Sequence, residues 1–221
     1  MSNPVTTGAL FPPWTTTALR AALGLLGLGL VGAVVGPMIY VRSPLFTGQS
    51  GPVEQPLQFD HRHHVTDAGV DCRYCHLTAE TGASAGYPPT EVCMGCHGQI
   101  WNQSPLLAPV RRSAFTGQAL SWKRVNQLPD FVYFNHSIHA NKGVGCVTCH
   151  GRGDRMPEVM QTATLTMGFC VDCHRDPAPQ LRPIEQITNL GWVAEDPVKV
   201  GHQVARELDV YPRTSCTACH R

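Results

Sequence analysis

All ten cysteines of this chain fall in one five-residue pattern, C-x-x-C-H. The copies begin at Cys72, Cys93, Cys146, Cys170 and Cys216. Zinc sites and disulfides also use paired cysteines, but neither requires a histidine directly after the second cysteine. Here that histidine is present in every copy. The pattern therefore favours a site that uses two thiols and the adjacent imidazole together.

C-x-x-C-H is typical of covalent haem c attachment. Two thiols one helical turn apart can add to the two vinyl groups of one porphyrin, and the next imidazole can bind the iron. We therefore predict five covalently bound haems c, held through Cys72, Cys75, Cys93, Cys96, Cys146, Cys149, Cys170, Cys173, Cys216 and Cys219. The predicted proximal iron ligands are His76, His97, His150, His174 and His220.

The composition offers little material for an apolar core, since only 7% of the 221 residues are aromatic while 21 are glycine and 18 are proline. Five porphyrins would supply the missing interior. The charged fraction is 15% and the net charge +1, which excludes the basic surface expected of a nucleic-acid-binding protein. We predict a mainly α and irregular fold, with short helices around the motifs and little sheet.

An uncharged stretch near the N-terminus predicts a transmembrane helix over residues 21–41. A cleaved secretory signal is the alternative, but the stretch is longer than the usual apolar region of a signal. Haem c is attached on the export side, so the haem domain is expected on the periplasmic side of the inner membrane and residues 1–20 in the cytoplasm. The small-residue spacing from Gly32 to Gly36 favours packing against a partner helix.

The rest of the chain contains an internal duplication. A pattern F-x-H-x-x-H precedes two haem motifs in residues 59–97 and again in residues 134–176. Histidines three residues apart lie on one face of a helical turn, so each can reach a different iron. The predicted distal ligands are His61, His64, His136 and His139. The predicted connecting segments are 42–58, 98–133 and 177–221, the last of which carries the fifth haem.

The fifth haem motif has no such pattern of its own. His202 lies 14 residues upstream of Cys216 and is one candidate for the distal ligand, with His63, Met156 and Met167 as alternatives. The sequence does not choose among them. The proline-rich run DPAPQLRP at 176–183 predicts an extended segment.

Several runs carry a resemblance to known families. F-x-H-x-x-H resembles small trihaem and tetrahaem cytochromes, which implies that His61 pairs with His76 and His136 with His150. The runs FDHRHHVTDAGVDCRYCH, LPDFVYFNHSIHANKGVGCVTCH and TMGFCVDCHRDP resemble the pentahaem subunit of alternative complex III, a bacterial quinol:electron acceptor oxidoreductase. That resemblance implies three kinds of partner: an iron–sulfur subunit, polytopic quinol-binding subunits and a monohaem cytochrome c.

A haem with both axial positions filled by protein has no open site for a substrate. The sequence thus predicts an electron-transfer subunit of a respiratory or photosynthetic membrane complex, which is not catalytic alone. Two alternatives are a stand-alone membrane quinol dehydrogenase cytochrome and a multihaem reductase with one open haem.

Overall fold

The computed structural model of the protein describes residues 11–49 and 51–220. The chain divides into two compact units, one ending at Thr47 and one beginning at Gly48. The described residues form helices, turns and irregular segments, with isolated β-bridges but no strand. The prediction of a mainly α and irregular chain is confirmed.

The first unit contains α1 (Trp14–Tyr40) and α2 (Pro44–Thr47). At about 1.5 Å per residue, the 27 residues of α1 span about 40 Å, more than the ~30 Å hydrocarbon layer of a bilayer. Helix α1 is therefore long and apolar enough to cross a membrane. It begins seven residues before the predicted start at residue 21. Residues 1–10 of the predicted cytoplasmic segment lie outside the described residues.

The glycines of α1 leave open space on the helix surface. Apart from the adjacent residues and nearby backbone of α1, no atom of the first unit's described residues lies within 4 Å of the position that a Cβ would take at Gly32 or Gly36. Among the described residues of the first unit, nothing covers the face predicted to pack against another helix.

Seven α-helices occur among the described residues of the second unit. They are α3 (Cys72–Cys75), α4 (Thr90–His97), α5 (Ala108–Thr116), α6 (His136–Asn141), α7 (Cys146–His150), α8 (Met167–Arg175) and α9 (Pro197–Glu207). Four of the five haem motifs lie in α3, α4, α7 and α8, and the fifth lies in the 3₁₀ turn Cys216–Ala218. The motifs therefore sit where the backbone makes a helical turn, as thioether attachment to one porphyrin requires.

The apolar interior is small. Seven apolar residues are buried among the described residues: Leu57, Val110, Met156, Ala178, Leu181, Ile187 and Val204. Large side chains elsewhere in the second unit, such as Tyr74, Phe131 and Tyr211, are more than half exposed. Domains of this size normally bury far more apolar surface than seven residues provide. The protein atoms alone do not complete the core.

The C-terminal segment contributes much of this interior. Helix α9 packs on the 3₁₀ turn Ala178–Gln180, and Gly201 lies so close to it that a Cβ there would overlap the carbonyl oxygen of Ala178. Ala178 and Leu181 are 2% and 3% exposed. The prediction of an extended run at 176–183 is therefore wrong for residues 178–180, which fold into a turn against α9.

Candidate haem sites

The first F-x-H-x-x-H pattern places three aromatic rings in one cluster. Phe59 meets His61 edge to face with ring centres 4.8 Å apart, and stacks on His64 at 4.3 Å. The backbone from Arg62 to Asp67 winds as a π-helical turn, with His61 at its N-cap.

The second pattern repeats this arrangement closely. Phe134 meets His136 edge to face at 4.8 Å and stacks on His139 at 4.5 Å. The two histidines lie in α6, whose N-terminus is capped by the side chain of Asn135. The duplication that the sequence shows is thus also a duplication of ring geometry.

Three histidine pairs face each other at one common spacing. The pairs are His64 with His97 at 6.1 Å, His136 with His150 at 6.2 Å, and His139 with His174 at 6.0 Å between ring centres. Two metal–nitrogen bonds of about 2 Å, plus ~1.1 Å from each nitrogen to its ring centre, also give about 6 Å. Each pair leaves the gap that one iron between two imidazoles requires.

The ring planes differ between the pairs. The rings of His136 and His150 lie 12° from parallel. The other two pairs are crossed at 62° and 67°. The pair formed across α6 and α7 is therefore distinct in its orientation.

His61 lies close to His76, the histidine of the first haem motif. Burial lowers the pKa of His61 to about 4, and the charges of His76 and His64 add to this effect. The charge of His76 also lowers the pKa of His136 and of His150, so the first and third motifs are neighbours in space.

Most of these imidazoles donate through Nδ1 to a main-chain carbonyl. The bonds run from His64 to Asp60 (3.0 Å), His76 to Gly86 (2.9 Å), His97 to Ile100 (3.0 Å), His136 to Ala83 (3.4 Å), His139 to Asn135 (2.8 Å), His174 to Arg213 (3.0 Å) and His220 to Phe131 (3.1 Å). A proton fixed on Nδ1 leaves the Nε2 lone pair free to bind a metal.

Burial also keeps several imidazoles neutral, as metal ligation requires. It lowers the pKa of His150 to about 4, with smaller contributions from the charges of His136 and His76. Burial likewise lowers the pKa of His136 and of His139. Burial thus favours the neutral state of these rings, so the residues present fit haem ligation.

His150 differs from the other motif histidines. Its Nδ1 lies 3.1 Å from the side-chain amide of Asn126, a residue in the segment 98–133. Sequence reasoning found no ligand candidate in that segment and missed this contact. No motif signals it, because the two residues are 24 positions apart.

The fifth motif has a less complete surrounding. The ring of His220 is tilted against Phe131 at 5.8 Å, beside a cleft of about 500 Å³ lined by Tyr211–Ser215, Thr217 and Ala218. Among the described residues, no second histidine ring lies against His220.

The structure does not bring the candidate fifth ligands to this cleft. His202 is on the exposed side of α9, and Met167 is 69% exposed at the start of α8. Met156 is buried at the end of the turn Gly153–Arg155. His63 directs Nδ1 to Asp67 at 2.9 Å, so an acidic residue takes the nitrogen that elsewhere faces a carbonyl.

The cysteines show which motifs lie near each other. Thiols that influence each other electrostatically are Cys75 with Cys93 and Cys96, Cys72 with Cys146, Cys149 with Cys170 and Cys173, and Cys170 with Cys219. The second motif therefore lies near the first, the first near the third, the third near the fourth, and the fourth near the fifth. The two modules meet through the first and third motifs.

Comparison with known proteins agrees with this geometry. Residues 132–221 match the family model of cytochrome c7 and related cytochromes c. This part of the chain is therefore similar to a multihaem cytochrome c domain. The multihaem cytochrome c subunit of menaquinone reductase from Nitratidesulfovibrio vulgaris (strain Hildenborough) is 37% identical to the chain over 103 residues. That alignment covers 46% of this chain and 48% of the relative, so the chain spans about half the length of the curated relative it matches.

The similarity to cytochromes c indicates covalently bound haem c, which the paired thiols and adjacent imidazoles of the motifs fit. The predicted number of five haems, the distal ligands and the module boundaries stay predictions.

Proposed function

We propose that this chain is a membrane-anchored pentahaem cytochrome that transfers electrons from a quinol-oxidising membrane complex toward a terminal acceptor. The observation that carries the proposal is the set of three imidazole pairs 6.0–6.2 Å apart. Haem c, when bound, supplies reversible one-electron chemistry at its iron. An iron with two protein ligands exchanges electrons but offers no position for a substrate, so transfer is favoured over catalysis.

The residues have separable roles in this proposal. The cysteines of each motif hold one porphyrin, and the motif histidine is the proximal ligand. The proposed pairs of proximal and distal ligands are His76 with His61, His97 with His64, His150 with His136, and His174 with His139. The ligand opposite His220 is unassigned. Carbonyl acceptors orient the rings of His76, His97 and His139, and burial lowers the pKa of His139.

The order of the motifs supports a single path through the protein. The second and fifth motifs lie at the two ends of the cysteine contacts, with the first, third and fourth between them. We infer that electrons enter at one of these ends and leave at the other. The fifth motif is near the chain surface, because Cys216 is exposed.

The proposed complex is of the alternative complex III type. The sequence runs that resemble its pentahaem subunit support this assignment, as does the relative that is named as a subunit of menaquinone reductase. The proposed partners are an iron–sulfur subunit, polytopic quinol-binding subunits and a monohaem cytochrome c. Helix α1 would anchor the chain in the inner membrane, with the haem domain on the periplasmic side.

The first test counts haems and activity separately. Intact mass spectrometry of the native chain is expected to show five haem additions, and a Cys72→Ala/Cys75→Ala variant one fewer. The purified chain alone is expected to accept electrons from a chemical reductant but not to oxidise a quinol analogue. Quinol oxidation by the isolated chain would instead establish the stand-alone dehydrogenase.

The fifth motif favours a second candidate, a multihaem reductase with one open haem. The observation is that no second imidazole faces His220 among the described residues. Titration of the reduced holoprotein with carbon monoxide distinguishes the two functions. Ready binding to one haem supports the reductase, and no binding supports five haems with both axial positions filled.

A further inference from the structure

Asn126 is the only side chain that contacts Nδ1 of a motif histidine among the described residues. The motif histidines His76, His97, His174 and His220 all donate to main-chain carbonyls. In the third motif, the amide of Asn126 lies 3.1 Å from Nδ1 of His150 instead. A main-chain carbonyl remains available as an acceptor when the side chain of its residue is replaced. The contact at His150 instead depends on the side chain of Asn126.

The chemistry of the contact fixes which amide atom must face the ring. In the structure the amide nitrogen points to Nδ1, and the buried Oδ1 of Asn126 has no hydrogen-bond partner. That orientation places the imidazole proton on Nε2, the atom that must bind iron. Amide oxygen and nitrogen exchange places by a half turn of the side chain, with almost no change in shape. The half turn gives the unpaired oxygen a donor and frees Nε2.

We propose that Asn126 is a positioning residue for the third haem. Its amide oxygen accepts a hydrogen bond from Nδ1 of His150, fixes the tautomer that presents Nε2, and lowers the midpoint potential of that haem. This inference rests on the proposed function, since it takes His150 as an iron ligand. An acceptor on Nδ1 makes the imidazole a stronger donor to iron and so favours the oxidised state.

The position of the third motif makes Asn126 important for electron transfer between the two modules. The first and third motifs join the two modules, since the thiols of Cys72 and Cys146 are neighbours. Every electron that crosses between the modules passes this junction in the proposed path. Asn126 therefore sets the driving force at the junction from a segment that carries no haem motif.

The test measures the midpoint potentials of the full-length holoprotein by redox titration followed by optical and EPR spectroscopy. The near-parallel rings of His136 and His150 should give a rhombic low-spin signal, unlike the crossed pairs. In Asn126→Leu, one rhombic signal is expected to titrate at a higher potential. The expected change is about tenfold in the reduction equilibrium, or about 59 mV for one electron.

Two further variants make the result decisive. Gln127→Leu removes an amide at the next, exposed position and is expected to shift no potential. Asn126→Asp keeps an acceptor oxygen and adds negative charge, so its rhombic signal is expected at or below the wild-type potential. A structural disturbance alone would move the Leu and Asp variants in the same direction, and that result would overturn the proposal.

Haem counts separate this inference from the proposed function. Five haems by intact mass, with no potential shifted in Asn126→Leu, would overturn the role of Asn126 alone. A wild-type chain with no haem on the third motif would overturn the proposed function. If Asn126→Leu loses a haem, the test uses Asn126→Asp alone. A midpoint potential of its rhombic signal above the wild-type value overturns the inference, and a midpoint potential at or below the wild-type value supports the inference.

Discussion

The phenyl ring of Phe134 stacks on the imidazole of His139 with ring centres 4.5 Å apart, while its edge meets His136. One apolar side chain thus supports two imidazoles that face different motif histidines, His150 and His174. Phe59 has the same place in the first module. The phenylalanine is therefore a spacer between two proposed ligands, and its removal should disturb the positions of both imidazoles.

Phe134→Leu is expected to lower the free energy of unfolding by about 0.5–1.5 kcal/mol, the usual value of an aromatic pair beyond its buried area. Guanidinium denaturation of the holoprotein measures this change. Phe115→Leu is the matched control, since Phe115 is 92% exposed and its change should stay within about 0.5 kcal/mol. Equal losses in both variants would show that the stacking of Phe134 contributes nothing.

His139→Ala is expected to convert one haem from low spin to high spin, because it removes the ring that faces His174. About one fifth of the haem should then bind carbon monoxide in the reduced protein. EPR and carbon monoxide titration measure the two effects. His63→Ala is the control, because His63 pairs with Asp67 and faces no motif histidine. A wholly low-spin His139→Ala protein would exclude His139 as a ligand.

Gly201→Ala is expected to destabilise the protein by about 1–3 kcal/mol, because the added Cβ would overlap the carbonyl of Ala178. The clash should outweigh the gain in helix propensity of about 1 kcal/mol. Gly168→Ala in α8 is the control, since the nearest atom to its new Cβ lies 4.0 Å away. Thermal denaturation of both variants should give opposite signs. A stabilised Gly201→Ala protein would contradict the close packing of α9.

The carboxylate of Asp71 should make the free energy of unfolding depend on pH. This carboxylate caps α3, accepts a hydrogen bond from Thr188 at 2.8 Å, and pairs with Arg73. The hydrogen bond from Arg73 is the main cause that lowers the pKa of Asp71 to about 2. Because the pKa is lower in the folded state, this stabilisation is complete above about pH 4 and is lost as the pH falls toward about 2.

Denaturation midpoints measured at about pH 6 and about pH 3 test this dependence. Asp71→Asn should be less stable at the higher pH and should lose less stability on acidification than the wild type. Asp130→Asn, at an exposed position, should follow the wild type. If the denaturation midpoints of Asp71→Asn and the wild type fell equally on acidification, Asp71 would be excluded as the source of the pH dependence.

The sequence predicts well the features that depend on the spacing between nearby residues. C-x-x-C-H specifies a helical turn, and all five copies lie in one. The pairs at His61/His64 and His136/His139 were found because residues three apart share a helical face. The structure brings His64, His136 and His139 opposite motif histidines, where the ligand role stays a prediction.

The features that sequence reasoning missed depend on contacts between distant residues. Asn126 reaches His150 through tertiary folding, and no spacing rule connects the two. The run at 176–183 suggested an extended segment by its prolines, but α9 packs on the turn Ala178–Gln180 and buries Ala178. Helix α1 begins at Trp14 because polar residues can continue a helix beyond its apolar stretch.

The seven buried apolar residues bear on how the protein matures. So small an interior cannot offset the conformational entropy that a chain of this length loses on folding. The newly made polypeptide should therefore remain open until its porphyrins are attached, which leaves each cysteine pair accessible to the attachment enzymes. Covalent modification would then come before compaction of the chain.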